Sequence, residues 1–185
     1  LYAEVEYKYP VMKGTKLTVS AQYLTQTAVG DELVSDTFGD VDYNMMGAKV
    51  KVGNKKWSAY VAYNKSGDTD TGFFNAWGAD PAYTSSMFTR NAYRQDVSAY
   101  KIGGHYAIMK GLKLIASYAN YGQSKTKGLG VFATEDAYEA DIILAYKPTK
   151  AWTLKVFNAI RNSEYGTFAT ETDMNHFRAV ASYKF

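Results

Sequence analysis

Apolar and polar residues alternate with period 2 along most of the chain. In the opening segment Leu1, Ala3, Val5, Tyr7 and Tyr9 share one parity, and Tyr2, Glu4, Glu6 and Lys8 share the other. That spacing predicts a β-strand with one apolar face. After a break at Pro10 to Gly14 the pattern resumes with Leu17, Val19, Ala21 and Tyr23 against Lys16, Thr18, Ser20 and Gln22. The same reading places strands near 43–52, 57–65, 97–108, 113–121, 138–146, 152–161 and 176–185. Nine strands are therefore predicted. Their connections alternate between tight turns (near 10–14, 53–56, 109–112 and 147–151) and long loops (near 27–42, 66–95, 122–137 and 162–175). Short turns at one end and long loops at the other are the layout of an antiparallel transmembrane β-barrel. A soluble sandwich has no reason to keep all its long loops on one side.

The two parities also divide the charge. On the apolar parity the strand middles carry almost no ionised residue, only Lys65 at a strand end. A charge at mid-bilayer on a barrel wall costs roughly 2–4 kcal/mol, so a bare face fits lipid. A sandwich core would be bare as well, and the rims separate the two readings. The apolar parity ends in Tyr7, Tyr9, Trp57, Tyr106, Tyr146, Trp152, Tyr183 and Phe185 near the tight turns, and in Tyr23, Tyr63, Tyr100, Tyr138 and Phe177 near the long loops. Aromatic rings at both edges of an apolar band are the girdles of a membrane barrel, although Tyr and Trp favour strands in general.

Composition narrows the classes further. The 185 residues include 29 aromatics (17 Tyr, 9 Phe, 3 Trp) and only 3 Pro, which excludes a disordered or collagen-like chain. No Cys is present, so disulfide scaffolds, thiolate metal sites and cysteine nucleophiles are excluded. A net charge of +3 is too near neutral to point to nucleic acid. A helical span needs about 20 predominantly apolar residues, and the longest clean apolar stretch is Ile142 to Tyr146. The chain opens without Met or a leader-like segment, so it is expected to be part of a longer product. Topology points the same way. The first and ninth strands both run toward the tight-turn side, whereas a closed barrel with both termini there needs an even count. At least one upstream strand is expected to be missing.

Two local patterns add detail. Tyr9-Pro-Val-Met-Lys-Gly-Thr-Lys-Leu17 echoes Tyr106-Ala-Ile-Met-Lys-Gly-Leu-Lys-Leu114, which reads as shared hairpin chemistry rather than a solenoid repeat. The terminal Phe177-x-Ala179-x-Ala181-x-Tyr183-Lys184-Phe185 looks like the C-terminal signal by which bacterial outer-membrane proteins are recognised for assembly.

The segment Trp77-Gly-Ala-Asp-Pro-Ala-Tyr-Thr-Ser-Ser-Met-Phe-Thr-Arg-Asn-Ala-Tyr-Arg94 and the strand after it resemble porins of the OprD family of the epsilonproteobacterial type. The likeness runs over roughly the whole chain and is most specific in that loop and the last strand. It implies an 18-stranded channel for small, often anionic or carboxylate-bearing, nutrients, with residues 1–185 as the C-terminal half of one barrel domain. It also implies that the constricting loop and part of the basic ladder lie in the missing half, so selectivity does not carry over.

On the polar parity, ten bases face four acids. A basic wall concentrates anions and lowers their entry barrier. The residues expected to line the pore are Lys49, Lys101, Glu139, Asp141, Lys155, Arg161 and Arg178, with Asp141 and Lys155 as a cross-strand pair. Lys8, Lys16, Lys51, Lys113 and Lys184 read as solvated rim. Tyr2 and Tyr60 read as wall packing. Small inner residues, Gly103, Ala119, Ala145, Ala159 and Ser182, favour an open lumen over a plugged one. The loop 66–95 holds Phe73, Phe74, Trp77, Tyr83, Met87, Phe88 and Tyr93, which folding over the mouth or packing on a neighbouring subunit would bury.

Other chemistry is weak. Asp68-Thr-Asp70-Thr-Gly72 hints at a calcium loop, but Ala79 stands where its glutamate is due. His105 and His176 could join a Ser and an acid only through tertiary accident, and no serine sits in a nucleophile elbow. No metal, cofactor or catalytic residue is expected. The reading is a non-enzymatic outer-membrane diffusion channel of a Gram-negative bacterium. Its partners are the bilayer, small solutes or ions, and the barrel assembly machinery acting on the strand that ends at Phe185. Both a monomer and a homotrimer remain open. The rivals are an outer-membrane hydrolase, which would need Ser, His and an acid converging on the wall, and a structural or adhesive barrel with a plugged lumen.

Overall fold

The computed structural model describes residues 1–27, 41–69, 71–73, 80–91, 94–124, 134–165 and 170–185. It is a single antiparallel sheet of nine strands in sequence order: β1 (Tyr2–Met12), β2 (Thr15–Thr27), β3 (Asp42–Gly53), β4 (Trp57–Ser66), β5 (Ser98–Met109), β6 (Leu112–Tyr121), β7 (Thr134–Tyr146), β8 (Trp152–Tyr165) and β9 (Thr170–Tyr183). All nine predicted strands are present. Their ends run further than predicted, mainly on the long-loop side, at Thr27, Thr134, Tyr165 and Thr170.

The tight turns follow from their residues. Lys13-Gly14 and Lys110-Gly111 close the two echoed hairpins, with Gly14 at φ 79° and Gly111 at φ 81°. Glycine reaches that region without steric cost. Both hairpins skip one residue of register, between Pro10 and Met12 and between Ala107 and Met109. The repeated sequence thus repeats a bulge as well as a turn, and the bulge lets Pro10 stand inside a strand. In the other two turns a side chain replaces the glycine device. Asn54 Oδ1 accepts from the Lys56 and Trp57 amides, and Thr149 Oγ1 accepts from those of Ala151 and Trp152.

The parity split is real in three dimensions. Val5, Tyr7, Val50, Val61, Ile102, Ile142 and Phe177 are exposed on one face, and the edge aromatics pair across strands: Trp57 opposes Tyr106, Tyr63 opposes Tyr100, and the Trp152 and Tyr183 rings lie 5.0 Å apart. Lys65 on this parity is paired with Asp96 at 2.7 Å, and the longer strand ends add Asp42, Asp136 and Asp173 to the same parity. The Lys65 strand end lies where the chain leaves β4.

Buried residues lie on the other face. They include Ser20, Gln22, Ala62, Asn64, Ala99, Lys101, Ala119, Tyr121, Glu139, Asp141 and Ala159, and the segment 80–91, called the strap below, bonds to Asn64, Lys101, Tyr121 and Glu139 among them. Nine strands laid flat would separate β1 from β9 by about 38 Å. The strap is folded back by two turn bonds, Ser85 N to Ala82 O and Ser86 N to Thr89 O. It still reaches Glu4 on β1 through Tyr83 and His176 on β9 through Phe88. The sheet therefore wraps around the strap, and the charged parity is its concave face.

Candidate functional site

Strand register groups the concave-face residues into transverse rows. One row runs Glu6, Ser20, Lys49, Ala62, Lys101, Ala119, Glu139, Arg161, Met174 across all nine strands. Four of the seven predicted site residues, Lys49, Lys101, Glu139 and Arg161, lie on this row. Asp141 and His176 share the next row toward the tight turns, Arg178 the one after, and Lys155 the one beyond that. The expected Asp141–Lys155 pair does not form. Asp141 opposes Ala159 and Lys155 opposes Ala145. That offset is four residues, about 13 Å along a strand.

The strap separates these residues by exposure. Lys101, Glu139 and Asp141 are 7%, 0% and 4% exposed, whereas Lys155 and Arg178 are open to solvent and Lys49 and Arg161 are half-buried. Glu139 accepts from two consecutive strap amides, Phe88 N to Oε1 at 2.9 Å and Thr89 N to Oε2 at 2.6 Å. Asp141 accepts from Ser117 Oγ at 3.3 Å and faces the Met87 amide. The Lys101 ammonium donates to Ser85 O at 2.8 Å and Ser86 Oγ at 3.1 Å. Charged bonds of this kind are the stronger class. The concave-face charges Lys101, Glu139 and Asp141 are thus bonded to the strap.

Asn64, Tyr121 and, at the β1 end, Glu4 complete the attachment. Asn64 Oδ1 accepts from Thr84 N (3.0 Å) and Thr84 Oγ1 (3.1 Å), and Tyr121 donates to Thr84 O at 2.7 Å. At the β1 end the Tyr83 hydroxyl donates to Glu4 Oε1 at 2.7 Å. Burial and that bond both favour the neutral phenol and push its pKa up. Lys49 lies over the Tyr60 and Tyr83 rings at 5.4 and 5.3 Å, a cation–π arrangement. At the other end His176 sits between Phe88 and Phe157, and Arg178 lies over Phe157 at 5.7 Å.

Several expectations acquire a different cause here. Ala119 and Ala159 are small and fully buried, Ala119 in a cluster with Val97, Ala99, Tyr121 and Ala137. Gly103 is small because a Cβ there would meet the Tyr60 hydroxyl at 2.7 Å. At these three positions small size goes with close packing, whereas Ala145 is half-buried and Ser182 is exposed. The concave face is also less uniformly polar than its parity suggests: Leu24, Tyr43, Met45 and Ala82 cluster with Phe73 packed against them, and Val97, Ala99, Ala119, Tyr121 and Ala137 form a second cluster. Of the loop aromatics, Phe73, Tyr83 and Phe88 fold inward, while Phe74, Trp77 and Tyr93 lie outside the described residues, as do Asp70 and Ala79 of the calcium-loop reading.

On the tight-turn side of the strap a groove of about 230 Å³ is lined by Lys49, Lys51, Lys113, His105, Ser58 and Tyr60 among others. Lys51 and Lys113, which read as solvated rim in sequence, join Lys49 there. Ser58 Oγ and His105 Nδ1 share a hydrogen bond of 2.6 Å. The charged side chains lining this groove are lysines, and a hydrolytic triad needs a carboxylate behind its histidine.

No family model matches the sequence, and no curated protein matches it. Solved structures do. The Pseudomonas aeruginosa proteins OccK9 (OpdG) and OccK1 (OpdK) superpose with TM-scores of 0.80 at 18% and 17% identity, covering 98% of this chain and 46% and 47% of theirs. Acinetobacter baumannii OccAB4 superposes with a TM-score of 0.70 at 17% identity, covering 98% and 44%. The chain spans about half the length of the solved structures it matches. In fold, it is similar to one half of the barrel of OprD/Occ porins.

Proposed function

We propose that residues 1–185 are the C-terminal half of a single transmembrane barrel domain in the bacterial outer membrane, and that the whole barrel is a porin for passive diffusion of small hydrophilic solutes. The observation that carries this reading is the division of the sheet into a charged concave face and an apolar, aromatic-edged outer face. Half-barrel likeness to outer-membrane proteins supports it. The resemblance of the loop and last strand extends it to the OprD family of the epsilonproteobacterial type.

Within that pore, Lys49, Lys155, Arg161 and Arg178 are the proposed lining charges, and Lys101, Glu139 and Asp141 act through the strap that covers them. The lysine-lined groove beneath the strap supports a preference for anions or carboxylates. OpdK has been solved with vanillate, a carboxylate-bearing ring. The remaining partners are the bilayer on the outer face and the barrel assembly machinery at the strand ending in Phe185. The subunit count is read by native mass measurement, with monomer and homotrimer as the two candidates.

The test is single-channel conductance of the full-length parent protein in a planar bilayer, with reversal potential under a salt gradient. Discrete conductance with an anion-directed reversal potential is expected, and replacing Lys49, Lys155 and Arg161 by Ala is expected to reduce that preference. Absence of conductance would overturn the pore. Cation preference in the parent would overturn the role given to the lysines.

A further inference from the structure

The strap is attached in two places by different chemistry. Its first part, Thr84 to Ser86, is held by Asn64, Tyr121 and Lys101. None of these three is a carboxylate. The second part, Phe88 and Thr89, is held by the two oxygens of one fully buried carboxylate, Glu139. Adjacent backbone N–H groups converging on one anion form a strong attachment only while the acceptor is ionised. A protonated carboxyl turns an O–H toward an N–H and loses one of the two bonds.

We propose that Glu139 is a proton-releasable latch for the strap: on acidification the Phe88–Thr89 end lifts from β7, and the passage beside the strap widens. This rests on the pore reading above. The geometry makes the movement local. Phe88 is half-buried and packs on His176 with ring centroids 4.8 Å apart and planes tilted by 60°, the neighbouring Arg90 is exposed, and the other bonds at this end are the Met87 amide to Asp141 and Ser86 N to Thr89 O, so carboxylates supply its attachment to β7.

The groups facing the latch come from every element around it. Asp141, two residues along β7, shares a side-chain hydrogen bond with Glu139 and accepts from the Met87 amide, so the two carboxyls hold this end together. Lys101 on β5 and Arg161 on β8 share its row, Arg161 directly opposite. Ser117 and Tyr121 face it from β6, Met174 of β9 shares its row with His176 one row on, and Met87, Arg90 and Arg94 belong to the strap and its continuation. Among the described residues the carboxylate forms no salt bridge with Arg161: its oxygens meet the Phe88 and Thr89 amides and the Asp141 side chain, and the Arg161 Nε has no hydrogen-bond partner there.

The experiment is single-channel recording of the full-length parent and its Glu139→Gln variant between neutral pH and about pH 4. Wild type is expected to gain conductance on acidification, roughly twofold, for a strap that narrows rather than blocks the passage. The variant is expected to show the acid-state conductance already at neutral pH. Should the variant fail to assemble, Lys101→Met loosens the other attachment. It is expected to raise neutral conductance while keeping the acid response. A wild-type conductance that does not change with pH overturns the latch and leaves the pore standing. So does a Glu139→Gln channel with wild-type neutral conductance and an intact acid response. No conductance in wild type overturns the pore itself.

Discussion

Asn64 carries more of the site than its place in a polar stripe suggests. It is fully buried, accepts twice from Thr84, and donates through Nδ2 to Met46 O at 3.3 Å. Gly47 opposite leaves the space for it, since a Cβ there would collide with the Asn64 amide. Asn64→Ala would leave the Thr84 amide without its acceptor, a loss of about 1–3 kcal/mol. The strap should then open more often, and trypsin should cut after the exposed Arg90 faster than in wild type while the barrel keeps its heat-resistant mobility. Unchanged cleavage would mean that the other anchors suffice. None of this was legible in the sequence, where Asn64 is one polar residue among several and Thr84 lies twenty positions away in a loop. The same holds for Lys101 and Glu139. Their type and parity put them on the inner face, but only the folded loop turns them from wall charges into anchors.

The strands themselves were legible because one face meets an apolar surroundings and alternation is then enforced residue by residue. Their outer ends were not, because beyond the aromatic rims both faces turn polar and the alternation fades. Register was illegible for a related reason: parity says which face a residue takes but not how far along its neighbour it sits. The absent Asp141–Lys155 pair is that error in one instance. The echoed turns offer a sharper test. Gly14 and Gly111 occupy the same motif with φ near +80°, yet a Cβ at Gly14 meets nothing within 4 Å, while one at Gly111 would lie 2.5 Å from Lys147 O. Both alanine variants carry the left-handed penalty of about 1–2 kcal/mol. Gly111→Ala adds a backbone clash and should lower the urea unfolding midpoint of the lipid-embedded protein clearly more than Gly14→Ala. Equal shifts would show that the turn next to β7 yields.

At the scale of the molecule, the sheet has two unpaired edges, β1 and β9. In hydrocarbon an open edge leaves amides and carbonyls without partners, at several kcal/mol each. Residues 1–185 alone, refolded into lipid vesicles, should therefore lack discrete channels and heat-resistant mobility, and supplying the remaining strands as a separate chain should restore both. Discrete channels from the fragment would show that its edges find each other. Direction makes that an uncomfortable solution, because nine alternating strands leave β1 and β9 pointing the same way. The same parity limits how such a wall can be copied. A tandem duplicate of all nine strands would meet its original head to tail in parallel, breaking the antiparallel order. A duplicate of a hairpin would not. The related hairpins β1–β2 and β5–β6 stand four strands apart, an even displacement that preserves the sense of every strand. Adding or removing strands two at a time is therefore the change that keeps this wall's antiparallel order intact.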